Sequence, residues 1–215
     1  MKRITLVVIL CLFISISTNY IDAIGVSDCH AQNLNLSQEF DLNIDENDLM
    51  TYDEMLNRMI ADGYSKEEAL NMLNPPSSLK SGVLNDIVPM NLSYTTKSVT
   101  LNVTSLYKPT LNFYIEIDGA HGAYYMNRVL NVNMNRNYNN ITKQFQGSIF
   151  YNLETPTRLY YTIDGDFYNL GNSSISGGGS IGIGQSSTIN FSLTYASKYY
   201  SNIYISDYLH YGNNY

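Results

Sequence analysis

The stretch Asn74-Pro75-Pro76-Ser77-Ser78 separates two different architectures. A proline lacks a backbone donor and its ring clashes with the preceding helical turn, so two in succession end any helix that reaches them. Each also pushes the residue before it toward extended geometry. Upstream, apolar residues recur every third or fourth position. Downstream they alternate with polar ones, which is the period of a strand.

The upstream part contains two helix starts of the same kind. Thr51-Tyr52-Asp53-Glu54 and Ser65-Lys66-Glu67-Glu68 both read as capping boxes, in which a hydroxyl and a carboxylate three residues apart satisfy each other's free backbone donors. After the first, Tyr52, Met55, Leu56, Met59 and Ile60 share a face, and Asp62-Gly63 stops the helix. After the second come Ala69, Leu70, Met72 and Leu73, and then the prolines. Residues 49–74 therefore predict an αα-hairpin whose short helices need an apolar surface to pack on. Residues 75–82 form a Pro/Ser linker, and the polar, Asn-rich residues 26–48 read as a mobile acidic leader.

Residues 83–215 predict an antiparallel β domain. Alternating runs occur at Val99–Val103, Leu111–Ile117, Leu130–Met134, Phe145–Tyr151, Leu159–Ile163, Ile189–Tyr195 and Ile203–Ile205. Asp118-Gly119, Asn139-Asn140, Asp164-Gly165 and Gly171-Asn172 read as turns between them; within the Gly/Ser-rich stretch Gly171–Ser187, Ser176–Ser180 reads as a flexible loop and Ile181–Gly184 as a strand with no side chain on one face. The expected fold is mainly β: an antiparallel sandwich, or a small barrel, of seven or eight strands with one buried and one wet face, preceded by the helical hairpin.

Charge follows the same division. From Glu39 to Glu68 ten acids face only Arg58 and Lys66, whereas from Val83 onward seven acids meet seven bases. The net charge of −7 thus belongs to the helical part, and the β part has no basic stripe to displace counterions from phosphates, so nucleic acid is not an expected partner. Lys2-Arg3 followed by the apolar run Ile4–Ile16 reads as a secretory signal peptide over residues 1–25. The expected location is extracellular. Loss of Cys11 with that segment leaves Cys29 alone, so no internal disulfide is expected.

Chemistry-bearing groupings are few. Asp41, Asn43 and Asp45 have the alternate oxygen spacing that opens an EF-hand or dockerin calcium loop, and Asp53 closes the shell if one residue is inserted. Glu46 stands where the loop needs glycine and Tyr52 where it needs a bidentate carboxylate, which favours an acidic leader entering a capped helix. No cofactor is otherwise expected. Glu116 with Asp118, and Asp164 with Asp166, are carboxylate pairs of the kind glycoside hydrolysis uses, although solvated turn residues look the same. His121 has no second ligand or nucleophile nearby in sequence, and no nucleophile elbow, zinc motif or phosphate loop occurs. Sequons fall at Asn35, Asn91, Asn102, Asn140, Asn172 and Asn190.

Tyrosine is the informative residue. Of twenty, seventeen lie from Tyr94 onward, with pairs at Tyr124-Tyr125, Tyr160-Tyr161 and Tyr199-Tyr200 and further rings at Tyr204, Tyr208, Tyr211 and Tyr215. Successive strand residues face opposite ways, so each pair must turn one ring to the wet face, where tyrosine gives rigid apolar area with a polar tip. These six paired residues are the expected contact surface, for an extracellular protein or a glycan; membrane contact without spanning is a further candidate role. The competing reading is that tyrosine is simply a good strand residue. The signal peptide, the hairpin ending in Ser65-x-x-Glu68-Ala69-x-x-x-Leu73 and the Asn/Tyr-rich β part together resemble small secreted proteins of Gram-positive bacteria whose function is unassigned. That resemblance implies an extracellular location and carries over no activity. The expected function is a secreted, non-catalytic binding or structural module. The alternatives are a membrane-active protein that rearranges residues 171–193, and a carboxylate-based glycan hydrolase.

Overall fold

Both capping boxes are made. In the computed structural model, which describes residues 48–74, 92–120 and 123–211, the Thr51 hydroxyl accepts from the Glu54 N–H (3.4 Å) while the Glu54 carboxylate accepts from the Thr51 N–H (2.7 Å). Ser65 and Glu68 repeat the arrangement at 3.2 and 2.9 Å. These caps open α1 (Tyr52–Ala61) and α2 (Lys66–Leu73). Between them Gly63 takes the positive φ of 103° that closes α1 and that a Cβ would strain. The signal peptide, the leader with Asp41, Asn43 and Asp45, the linker and His121 lie outside the described residues.

Nine strands follow among the described residues, three of them only two residues long: β1 (Ser93–Thr100), β2 (Thr110–Ala120), β3 (Ala123–Asn135), β4 (Asn137–Tyr138), β5 (Ile141–Thr142), β6 (Gln144–Thr155), β7 (Arg158–Gly177), β8 (Ile181–Gly182) and β9 (Gln185–His210). All pairings are antiparallel. One sheet has the order β1-β2-β3-β8, β4 and β5 form a small hairpin, and β6, β7 and β9 close on one another. The main core lies between the first sheet and the closed one, with Leu111, Phe113 and Ile115 on one side and Ile149, Tyr161, Ile163 and Phe191 on the other.

The first sheet has no wet face along most of β2, where every residue from Leu111 to Glu116 is buried. The helical hairpin causes this. Met55, Met59, Ala69 and Leu73 cover Tyr94, Tyr114 and Leu130 on the side away from the main core, which adds a third layer to the sandwich. Glu116, on that covered side, is neutralised by Arg128 at 2.7 Å and accepts from the Asn127 side chain at 2.6 Å. Arg128 also donates to the Leu73 carbonyl at 3.2 Å, which ties the end of α2 to the sheet. The Tyr114 hydroxyl donates to Asp62 at 2.8 Å, and Asn131 donates to Tyr64 at 2.9 Å, which holds the turn between the helices.

Several expected turns are strand. Asn139 and Asn140, at φ 50° and 62°, do form the β4–β5 turn. Asp118-Gly119 lies in β2 opposite Tyr125 and Tyr124, Asp164-Gly165 lies in the middle of β7, and Gly171-Asn172 continues β7 toward Gly177. The Gly/Ser segment is therefore largely paired β-strand, with only Gly178-Gly179-Ser180 between β7 and β8. Gly179 and Gly184, with positive φ and nothing within 4 Å of a Cβ, serve the connections around β8, whereas the glycines earlier in β6 and β7 serve close packing. Gly147 and Gly165 are cross-strand partners, and a Cβ on Gly165 would come within 2.7 Å of the Phe145 ring and 2.8 Å of the Gly147 Cα.

The runs at 189–195 and 203–205 are one continuous strand. β9 pairs with β7 from Arg158↔His210 to Gly177↔Ile189, while its first part also pairs with β6 from Gly147↔Phe191 to Leu153↔Gln185. Irregularities at Phe167/Tyr168 and Asn172/Ser173, and a positive φ of 58° at Lys198, allow two strands this long to curl back over β6.

Candidate functional site on the outer face of the closed sheet

Strand alternation divides each tyrosine pair. Tyr161 is buried, whereas Tyr160 points outward. Tyr124 packs against the main core, and Tyr125 is exposed. Tyr200 also turns inward, with its ring 3.7 Å from the Lys143 ammonium and its hydroxyl 2.8 Å from that of Thr104; Tyr199 is 59% exposed. Lys143 is buried between Tyr200 and Tyr107 and donates to the Asn169 side chain at 2.7 Å, so this aromatic pocket is filled by the chain's own cation. Of the six rings expected to make contacts, Tyr125, Tyr160 and Tyr199 are the outward members. Tyr125 lies on the first sheet, in a shallow depression with Asp118, Asn127, Pro156 and Ile183.

Tyr160 and Tyr199 belong to a longer row. Because cross-strand partners share a face, the register places Tyr208 beside Tyr160, Ser206 beside Thr162, Tyr204 beside Asp164, Asn202 beside Asp166, and Tyr199 beside Tyr168. On the other edge of β7, Asn152, Phe150 and Ser148 lie opposite Tyr160, Thr162 and Asp164. The Tyr160 ring meets Phe150 at 6.1 Å and Tyr208 at 5.1 Å between centroids, and Tyr168 meets Tyr199 edge-on at 6.0 Å. At one end the Arg158 guanidinium, paired with Glu154 at 2.8 Å, lies 5.5 Å over the Tyr208 ring. The outer face of the β7–β9 ribbon is thus an aromatic row whose fringe carries hydroxyls, carboxamides and two carboxylates.

Besides Tyr199, two rings of this row are exposed. Tyr204 is 62% exposed and Tyr208 is 37% exposed. Four residues of strand separate them by about 13 Å. Between them lies a low hydroxyl floor, where Tyr160 Oη is 2.8 Å from Ser206 Oγ and accepts from Thr162 Oγ1 at 2.9 Å. The hydrogen bonds with Ser206 and then Thr162 hold the Tyr160 phenol below its ordinary range. At the far end Asn202 donates to Asp166 and to the Gly165 carbonyl, each at 3.0 Å, which fixes both groups.

Tyr204 and Tyr208 were visible in the sequence as part of the tyrosine-rich tail, but they are not adjacent pairs. The signal that finds them is parity: Tyr204, Ser206 and Tyr208 alternate with Ile203, Ile205 and Leu209. Phe150 carries the same parity signal, lying between inward Ile149 and Tyr151, but only the β6–β7 register brings it beside Tyr160.

The carboxylate pairs do not converge. Glu116 is sealed beneath the hairpin by Arg128, while Asp118 sits at the end of the same sheet, and Asp164 and Asp166 lie on the outer face of the other sheet. Asp53 is an exposed first-turn residue of α1, and among the described residues no three His, Cys, Asp or Glu side chains gather. Asn102, Asn140, Asn172 and Asn190 are all exposed. Comparison with protein-family models, with curated proteins and with solved structures returned no match.

Proposed function

We propose that the protein is an exported, non-catalytic binding module that docks an extracellular glycan along the outer face of β7 and β9. The observation that carries this reading is the aromatic row from Tyr199 to Tyr208 on a wet sheet face, with Tyr204 and Tyr208 projecting from it. A sugar ring offers an apolar face for stacking on tyrosine and a rim of hydroxyls that need partners. Ser148, Asn152, Thr162, Asp164, Asn202 and Ser206 line the same surface and supply those partners. A protein-binding patch of this size would be more continuously apolar at its centre.

Co-sedimentation with insoluble polysaccharides (chitin, cellulose and peptidoglycan) tests the proposal. The wild-type chain is expected to pellet with at least one of them, and the Tyr204→Ala/Tyr208→Ala variant to stay in solution with an unchanged melting temperature. Equal retention of both proteins, or retention of neither, overturns it.

The other readings have less behind them. A membrane-inserting rearrangement of residues 171–193 would have to pull Ile189 and Phe191 out of the core and break their pairing with β6. A hydrolase would need two carboxylates facing one sugar, and Asp164 and Asp166 lie side by side on a flat face with Asp166 held by Asn202.

A further inference from the structure

The fringe of the aromatic row is not electrically uniform, and this bears on which glycan it takes. Arg158 is neutralised by Glu154, and Asp166 is bound by Asn202. Asp164 is different. It is exposed, it lies directly opposite the projecting ring of Tyr204 and next to Ser148, and no described residue gives its carboxylate a hydrogen bond or an ion pair. Among the described residues no cation forms an ion pair with it, and Arg158, at the other end of the row, lies six residues away along β7. The face therefore presents two carboxylates without a paired cation: Asp166, engaged by the neutral Asn202 side chain, and Asp164, whose carboxylate is left to accept at the edge of Tyr204.

We infer that Asp164 makes the face selective for a glycan carrying protonated amino groups. A sugar stacked on Tyr204 would bring a substituent of its ring to the Asp164 carboxylate. An ammonium there makes a charge-assisted hydrogen bond, whereas an acetamido or hydroxyl group makes a neutral one. The tyrosine ring adds to the preference, because its electron-rich face attracts a nearby cation. The aromatic row would then supply affinity for the chain of sugars and Asp164 the choice between amine and amide. This inference rests on the glycan-binding reading of the same face.

The test compares a soluble glucosamine oligosaccharide with its fully N-acetylated counterpart of the same length, by calorimetry in mildly acidic buffer of low ionic strength. Because Asp164 is exposed, the preference of the wild-type protein for the amine form is expected to be modest, about two- to fivefold. It should be mostly lost in Asp164→Asn, with Asp166 left to supply any remainder, and should fade as added salt screens the charge. Glu67→Gln removes the same charge from the exposed side of α2 and should keep the preference. Loss of the preference in Glu67→Gln as well would assign it to the overall negative charge and overturn the inference. Equal affinity of the wild-type protein for both sugars would also overturn it while leaving the glycan face standing, whereas binding of neither sugar overturns it and, together with retention on none of the three polysaccharides, removes the glycan reading too.

Discussion

Each tyrosine's role follows from the side of its strand. Tyr161, packed edge-on against Phe113 at 5.3 Å, belongs to the core, so Tyr161→Ala is expected to cost about 3–5 kcal/mol in urea unfolding. Tyr204→Ala, with its ring in water, should stay within about 0.5 kcal/mol of the wild type. Strand parity made that split legible in the sequence without any coordinates. Glu116 was not legible in the same way. Its position opposite the apolar face of β2 marks it as solvated, and only the helices above it turn it into half of a buried ion pair. Arg128→Met should therefore cost about 3–5 kcal/mol, because it leaves the Glu116 carboxylate unpaired, and Glu116→Leu in the same chain should recover much of the loss.

At the scale of elements, the hairpin was legible nearly to the residue, because capping boxes and the double proline are local signals. Thr51→Ala and Ser65→Ala are each expected to cost about 1 kcal/mol. The two acids of these boxes also make the contribution pH-dependent. The Thr51 N–H and then its hydroxyl hold the Glu54 carboxyl below its ordinary 4.5, and the Ser65 hydroxyl and then its N–H do the same for Glu68. A carboxylate whose folded pKa is lowered stabilises the fold above its unfolded value, and the contribution is lost as pH falls through the folded one. The difference in stability between wild type and Thr51→Ala should therefore narrow as pH drops below 4.5. The glycines of β6 and β7 were misleading for a physical reason. A glycine marks either a reversal or a place where something comes close, and sequence alone does not separate the two. Gly165→Ala should be strongly destabilising, since its Cβ would meet both the Phe145 ring and the Gly147 backbone.

Across the whole molecule, the acidic hairpin is a structural layer as well as a charged one. Deleting residues 49–74 would expose Tyr94, Tyr114 and Leu130 and strand the Glu116–Arg128 pair, so the remaining β chain is expected to lose cooperative unfolding in calorimetry. The sequence indicated that the helices needed a surface but not which one, because docking depends on the outward face of β1–β3 and not on any local pattern. The buried phenols report on the same packing. Burial pushes Tyr94 and Tyr107 up to about 12 and raises Tyr64, Tyr114, Tyr151, Tyr161 and Tyr211 as well. A phenol raised in the fold stabilises it fully below its unfolded value of 10.0, and that contribution is lost as pH rises through the folded value. Alkaline titration should show a share of the tyrosinate absorbance appearing only together with loss of the β-sheet circular dichroism.

The face itself is tested most directly by nuclear magnetic resonance, following the backbone amides of the isotope-labelled protein as a soluble N-acetylglucosamine oligosaccharide is added. Saturable shifts are expected along residues 160–168 and 199–210, with weaker ones at 148–152 where β6 borders them. Shifts centred instead on the depression at Asp118 and Tyr125, or on α1 and α2, or no saturable shift at all, would contradict the assignment of binding to this surface.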